Sequence, residues 1–162
     1  MYIDTHCHID DKKITDTDGV INACTKYGVE KIINMGCEYS SSHNGKILSE
    51  KYPIVYYGVG YHPTELDGFN EKTFAKLLTP LVDKKCVAVG EIGLDYHYED
   101  TDKEKQKNAF VSQIEFANFL GLPVSIHSRD AMKDTLDILR ANPVKKSGVM
   151  HCYSGSVESA KI

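Results

Sequence analysis

Six short β-rich runs recur along the chain at a mean spacing of roughly 30 residues, the length of one strand plus one helix. They are MYIDTHCHI, EKIINMGCE, IVYYGVGYHP, CVAVGEIGLDY, LPVSIHSR and SGVMHCYSG. The intervening segments carry helical periodicity. Val20, Ile21, Cys24 and Tyr27 form one stripe, ending at Gly28. Phe74, Leu77, Leu78 and Leu81 form a second, interrupted at Thr79-Pro80, where Pro can open a new turn. The longest predicted helix starts at Thr101, with Glu104 three residues on in a capping-box pattern. It carries Phe110, Ile114 and Ala117 and stops at Gly121-Leu122-Pro123. Met132, Leu136 and Leu139 supply the last stripe. Repeated βαβα order demands a parallel sheet with crossover helices, either doubly wound or closed into a barrel. No GxGxxG or P-loop glycine pattern is present, which weighs against the doubly wound, nucleotide-binding form.

At 162 residues, 41% apolar, the chain suffices for one domain with a sizeable core, residues 1–162. Five scattered cysteines without a CxxC pair read as small buried hydrophobes in a reducing compartment rather than a disulfide framework. No long apolar run and no signal-peptide pattern at MYIDTHCHID point to the membrane, so a soluble cytoplasmic protein is expected. A formal charge of −4 excludes a globally basic nucleic-acid binder but leaves room for a local positive site.

The chemistry-bearing residues fall at the C-terminal ends of the runs, where parallel sheets place their functional loops. Side chains alternate along a strand, so His6 and His8 share a face and can grip one divalent ion. Asp4 has the same phase one layer deeper and is expected to orient a ligand. Val87, Val89 and Glu91 share one phase, Ser125 and His127 another, and Val149 and His151 a third. Each residue alone has an ordinary structural explanation: a hydrogen-bonded histidine pair, a carboxylate facing an Arg or Lys, a satisfied core histidine. Four strands all ending in a metal-compatible donor form a candidate metal site. His62, at another strand end, is a candidate substrate contact or a local hydrogen-bonding residue. His43 and His97 read as solvated.

The segments YIDTHCHID, GYHP, VGEIGLDY, PVSIHSRDA and HCYSGS resemble, in order and spacing, the motifs of TatD-type metal-dependent deoxyribonucleases of the amidohydrolase superfamily. The resemblance implies an α/β fold, a TIM-type (β/α)8 barrel, here with six of its strands and thus incomplete after the sixth; an eight-unit barrel takes about 250 residues. It implies one or two divalent metal ions (Zn, Mn or Mg), with His6, His8 and Glu91 matching ligands of one and Glu91, His127 and His151 ligands of the other. Glu91, at the bridging place that other amidohydrolases often give to a carboxylated lysine, is the candidate catalytic residue.

The implied activity is phosphodiester hydrolysis by a metal-activated water on single-stranded DNA or DNA ends, of the 3′-end exonuclease type. Arg129 is a candidate phosphate contact, or else a salt-bridge partner of Asp130, and Tyr153 in the YSGS turn is a further candidate substrate contact. The family pattern also includes a metal-binding aspartate at the end of an eighth strand; Asp95 and Asp130 are assigned to loops of other strands and not to that role. SGSVESAKI reads as a helix opening without a stop, so a fragment of a longer protein is expected. Two alternatives remain: an ester or amide hydrolase of the amidohydrolase type, including one acting on aminoacyl-tRNA, and an inactive metal-binding scaffold. Unpaired outer strands would favour a homo-oligomer.

Overall fold

Each of the six β-rich runs forms a strand, and all six pair in parallel in one sheet of order β1-β2-β3-β4-β5-β6 in the computed structural model, which describes residues 1–161. The order along the chain is Tyr2–Cys7 (β1), Thr17–Lys26 (α1), Val29–Met35 (β2), Tyr39–Lys51 (α2), Val55–Val59 (β3) and Phe74–Leu78 (α3). It continues with Cys86–Asp95 (β4), Lys103–Leu120 (α4), Val124–Arg129 (β5), Met132–Ala141 (α5), Gly148–Met150 (β6) and Val157–Ala160 (α6). A 3-10 turn at Thr79–Leu81, opened by Pro80, follows α3 as the sequence predicts.

The sheet curls strongly. In a flat sheet β1 and β6 would stand roughly 24 Å apart, five strand spacings. Instead His6, at the end of β1, reaches Ser125 on β5 at 3.0 Å and stacks on His151, just after β6, with ring centroids 3.4 Å apart. The chain thus forms six successive units of a barrel-type α/β fold, with β1 and β6 as the outer strands.

The main core lies under β3, β4 and β5. Tyr57, Val59, Val89, Ile92, Leu94, Val124 and Ile126 pack against Phe74 and Leu78 of α3 and Phe110, Ile114 and Ala117 of α4. A smaller cluster around Ile32 and Val55 takes Val20, Ile21 and Cys24 of α1. Tyr27 does not join that stripe: it follows the last turn of α1, where the chain has swung toward β2, and is 70% exposed. The cap of α4 is Asp102, not Thr101, because the Asp102 carboxylate accepts from the Lys105 N–H at 3.0 Å. Gly121 ends α4 in the left-handed conformation, φ 66°, as expected of a C-terminal glycine.

Helix α2 has no apolar stripe. Its inner face is Ser42, Gly45 and Ser49, small enough to bring the helix backbone close to the sheet. A Cβ on Gly45 would meet the Cβ of Tyr57 at 3.0 Å. Two strand irregularities fall beside the functional face: the β1–β2 register shifts between Asp4 and Cys7, and the β4–β5 register between Val89 and Ile92. These re-aim His6 and Glu91 away from simple alternation.

Among the cysteines only Cys86 is buried; Cys7, Cys24 and Cys37 are half-buried and Cys152 is exposed, because it lies in the open turn after β6. The uniform reading of these residues as core hydrophobes is therefore corrected. No helix among the described residues is long and apolar enough to cross a membrane.

Candidate metal centre

Glu91 is 5% exposed and stands at the middle of an imidazole cluster. Its Oε2 lies 3.2 Å from His6 Nε2 and 3.4 Å from His8 Nε2, while Oε1 lies 3.0 Å from His127 Nδ1 and 3.8 Å from His62 Nε2. Histidines from the end of β1 and just after it, from the loop after β3 and from β5 thus meet on one carboxylate of β4, and no Arg or Lys pairs with it among the described residues. His151 joins by stacking on His6, with its backbone N–H donated to Ile126 O at 2.8 Å.

The outward nitrogens of the β1 histidines are fixed. His6 Nδ1 meets Ser125 Oγ at 3.0 Å, and His8 Nδ1 donates to the Met35 carbonyl at 3.0 Å. These partners do the orienting assigned to Asp4 from its phase. Asp4 is exposed, and its carboxylate accepts the His6 backbone N–H at 3.1 Å instead. A carbonyl only accepts, so His8 carries its proton on Nδ1. In the neutral ring the Nε2 lone pair then points at Glu91 Oε2 and at His6 Nε2, 3.2 Å away. Two ring nitrogens and a carboxylate oxygen converge there, a set of atoms that holds a shared positive charge, proton or metal.

Titration behaviour follows from this crowding. Without a metal, His8 is raised to about 10, by hydrogen bonding to Cys37 and then to Glu91. Burial opposes ionisation of Glu91, but hydrogen bonds from His127, His6 and His8 outweigh it and hold the carboxyl far below the usual range. Burial pushes His62 down to about 4, and burial followed by repulsion from His6 lowers His151. Those two imidazoles stay neutral near pH 7.

Asp95 and Cys37 belong to the cluster and were not assigned to it from sequence. Asp95 is the last residue of β4 rather than a loop residue; it is 2% exposed, and its Oδ2 lies 2.9 Å from His127 Nε2. The signal was the alternation of Glu91, Gly93 and Asp95 with the apolar Ile92 and Leu94. Cys37 Sγ lies 3.8 Å from His8 Nδ1. Among the described residues three donor groups form, each with its ligand atoms within 4.8 Å of one another: His6, Glu91 and His151; His8, Cys37 and Glu91; His62, Asp95 and His127. Nitrogen and carboxylate donors in such groups suit a Zn²⁺- or Mn²⁺-type cation.

The remaining candidates sit at the rim. Arg129 is exposed and forms no ion pair among the described residues; Asp130 pairs with His97, 3.2 Å away, so the expected Arg129–Asp130 alternative is not formed. The Tyr153 hydroxyl is engaged locally, donating to Ser156 O at 2.9 Å and meeting Ser159 Oγ, outside the three donor groups. His43 is exposed on α2, and His97 is half-exposed.

A curled parallel sheet carrying histidines and carboxylates at its strand ends defines the class of barrel-type proteins with a candidate metal centre. The chain belongs to the TatD related DNase family, whose model matches residues 3–162. It is 34% identical, over 99% of its length and 64% of the relative's, to the uncharacterized metal-dependent hydrolase YabD of Bacillus subtilis. The crystal structure of the TatD homologue YjjV from Escherichia coli superposes with a TM-score of 0.92 at 32% identity, covering 99% of this chain and 63% of that one. The 3′-5′ ssDNA/RNA exonuclease TatD of Escherichia fergusonii is 29% identical over 88% of this chain and 55% of its own length. The chain therefore spans less than two thirds of the length of these relatives.

Proposed function

We propose that the cluster holds one or two divalent cations (Zn²⁺, Mn²⁺ or Mg²⁺) through His6, His8, Glu91, His127 and His151, and that the chain carries the metal centre of a phosphodiesterase acting on single-stranded DNA ends. The observation that carries the reading is the meeting of His8 Nε2, His6 Nε2 and the Glu91 carboxylate within 3.4 Å of one another. The name of the Escherichia fergusonii relative supports the substrate class.

Bound there, a divalent ion lowers the pKa of a coordinated water toward about 7 and neutralises phosphate oxygens that would repel a nucleophile. The protein's own groups do the rest. Glu91 concentrates negative charge where the imidazoles converge. His62 accepts the Thr64 N–H on Nδ1 at 3.2 Å, which leaves its proton on Nε2, facing Glu91 and able to donate to a phosphate oxygen. Arg129, exposed and unpaired among the described residues, offers a bidentate donor to the next phosphate. Tyr153 presents its ring at the rim for a base to stack on.

The test is a 5′-labelled single-stranded oligonucleotide incubated with the purified chain and Mg²⁺ or Mn²⁺. Shortening from the 3′ end, abolished by EDTA and by Glu91→Gln, is the expected result. An intact oligonucleotide in the presence of metal-loaded protein would overturn the nuclease reading, and cleavage of an ester or amide substrate would then redirect it.

A further inference from the structure

Cys37 lies two residues past the end of β2, beside the histidine-carboxylate cluster but outside the motifs that mark the family in the sequence. Its position is fixed from three sides. Its N–H donates to Ser41 Oγ at 2.7 Å, its carbonyl accepts the His62 N–H at 2.8 Å, and the neighbouring Gly36 carbonyl accepts the Glu91 N–H at 3.0 Å. The backbone that carries the thiol is therefore tied to the loop after β3 and to the middle of β4, and Sγ rests 3.8 Å from His8 Nδ1.

We propose that Cys37, with His8 and Glu91, gives this centre a thiolate-containing position that selects a thiophilic divalent cation, Zn²⁺ or Cd²⁺, over Mg²⁺. The inference deepens the metal-centre reading and rests on it. One donor atom from each of the three residues lies within 4.8 Å of the other two. Tetrahedral Zn²⁺ sets its ligand atoms about 3.5 Å apart, so a small contraction closes the site. Soft sulfur favours Zn²⁺ and Cd²⁺, whereas Mg²⁺ takes hard oxygen ligands and keeps its waters. On binding, the thiol proton leaves to solvent and the sulfur–metal bond forms, with no change of oxidation state.

An ion has a way in. Cys37 lines a cleft of about 620 Å³ shared with His8 and a second of about 320 Å³ shared with His62 and Glu91. Asp10, Asp11, Glu38 and Glu65 on their walls outnumber Lys12 and Lys13, so the approach favours cations.

Co²⁺ is the probe, because its absorption distinguishes thiolate from imidazole and carboxylate ligation. The wild type loaded with Co²⁺ is expected to show visible d–d bands together with a near-ultraviolet sulfur-to-cobalt charge-transfer band. Cys37→Ser and Cys37→Ala should lose the charge-transfer band while keeping the d–d bands. Zn²⁺, but not Mg²⁺, should also protect Cys37 from iodoacetamide, with exposed Cys152 as the internal control for labelling. Visible bands without a charge-transfer band in the wild type would overturn the role of Cys37 and leave the histidine-carboxylate centre standing. Absence of both bands in all three proteins would overturn the metal centre itself.

Discussion

The Asp95 carboxylate stands 2.9 Å from His127 Nε2, while the other ring nitrogen of His127 lies 3.0 Å from Glu91 Oε1. One imidazole bridges two buried carboxylates. Burial alone would lower the His127 pKa, but the two carboxylates outweigh it and hold it above the usual histidine range. Asp95 is itself anchored, with its N–H donated to Gln106 Oε1 at 2.8 Å and its Oδ1 accepting the His97 N–H at 3.0 Å. Asp95→Asn keeps the shape and removes the charge. Partners that orient a ligating histidine are worth about 10–100-fold in metal affinity. A loss of that size, measured by competition with a chromophoric chelator, is expected, with unchanged circular dichroism. Unaltered affinity would show that Asp95 does not act through His127.

Metal should also stabilise the fold, because a site built from β1, β4, β5 and the turn after β6 exists only in the folded chain. A cation at a hundredfold excess over its Kd adds about 2.7 kcal/mol. The thermal midpoint of the EDTA-treated chain should rise on adding Zn²⁺ or Mn²⁺ and fall again with excess chelator. The rise should be smaller in His127→Ala. A midpoint indifferent to all of Zn²⁺, Mn²⁺ and Mg²⁺ would count against the centre.

The strand ends were legible in the sequence because donor residues recur after each apolar run, although the irregularity between Asp4 and Cys7 meant that simple alternation carried over to His6 and His8 but not to Asp4. The helices were legible where burial used large apolar residues, as with Phe110 and Ile114, and silent where it used small ones: Ser42, Gly45 and Ser49 leave no stripe. Asp95 was set aside as a loop residue and Cys37 was read as a buried hydrophobe, because their meaning comes from partners brought in by other strands, His127 from β5 and His8 from just after β1. Spacing along β4 gives Asp95 the phase of Glu91 but does not name the histidine it meets. The N-cap of α4 passed from Thr101 to Asp102 for a local reason, since a carboxylate at the helix start gains from the dipole as well as from the N–H.

Asp83 offers a pH test outside the cluster. Burial raises its pKa, but the Lys46 ammonium at 2.7 Å and the Lys85 backbone N–H more than offset this, and the net shift is downward; Lys46 is raised in turn, chiefly by Asp83. A carboxyl lowered in the folded state stabilises above its unfolded pKa of about 3.9, and an ammonium raised in the folded state stabilises below about 10.4. The pair therefore contributes between those limits and fades as pH falls through the folded Asp83 pKa or rises through that of Lys46. Both side chains are partly solvated, so about 0.2–1 kcal/mol is expected. Urea denaturation should find Asp83→Asn less stable by that amount at pH 7, with the difference shrinking as pH falls below the unfolded value of about 3.9 and vanishing once the folded Asp83 carboxyl is protonated. A difference that persists in acid would assign the effect to packing instead of charge.

Arg129 separates substrate binding from metal binding. It lies two residues beyond His127 at the end of β5, exposed and without an ion pair among the described residues. Its loss should therefore leave the cluster intact. A charge-assisted hydrogen bond to phosphate is worth about 1.5–3 kcal/mol, or roughly 10–150-fold in binding. Arg129→Ala should raise KM for a single-stranded oligonucleotide by a factor in that range while metal content and thermal midpoint stay at wild-type values. Arg129→Lys should recover part of the loss, since it keeps the charge and gives up the planar two-pronged donor. Equal KM values for the three proteins would place the phosphate elsewhere on the rim, and a parallel fall in metal content would mean that Arg129 supports the cluster itself.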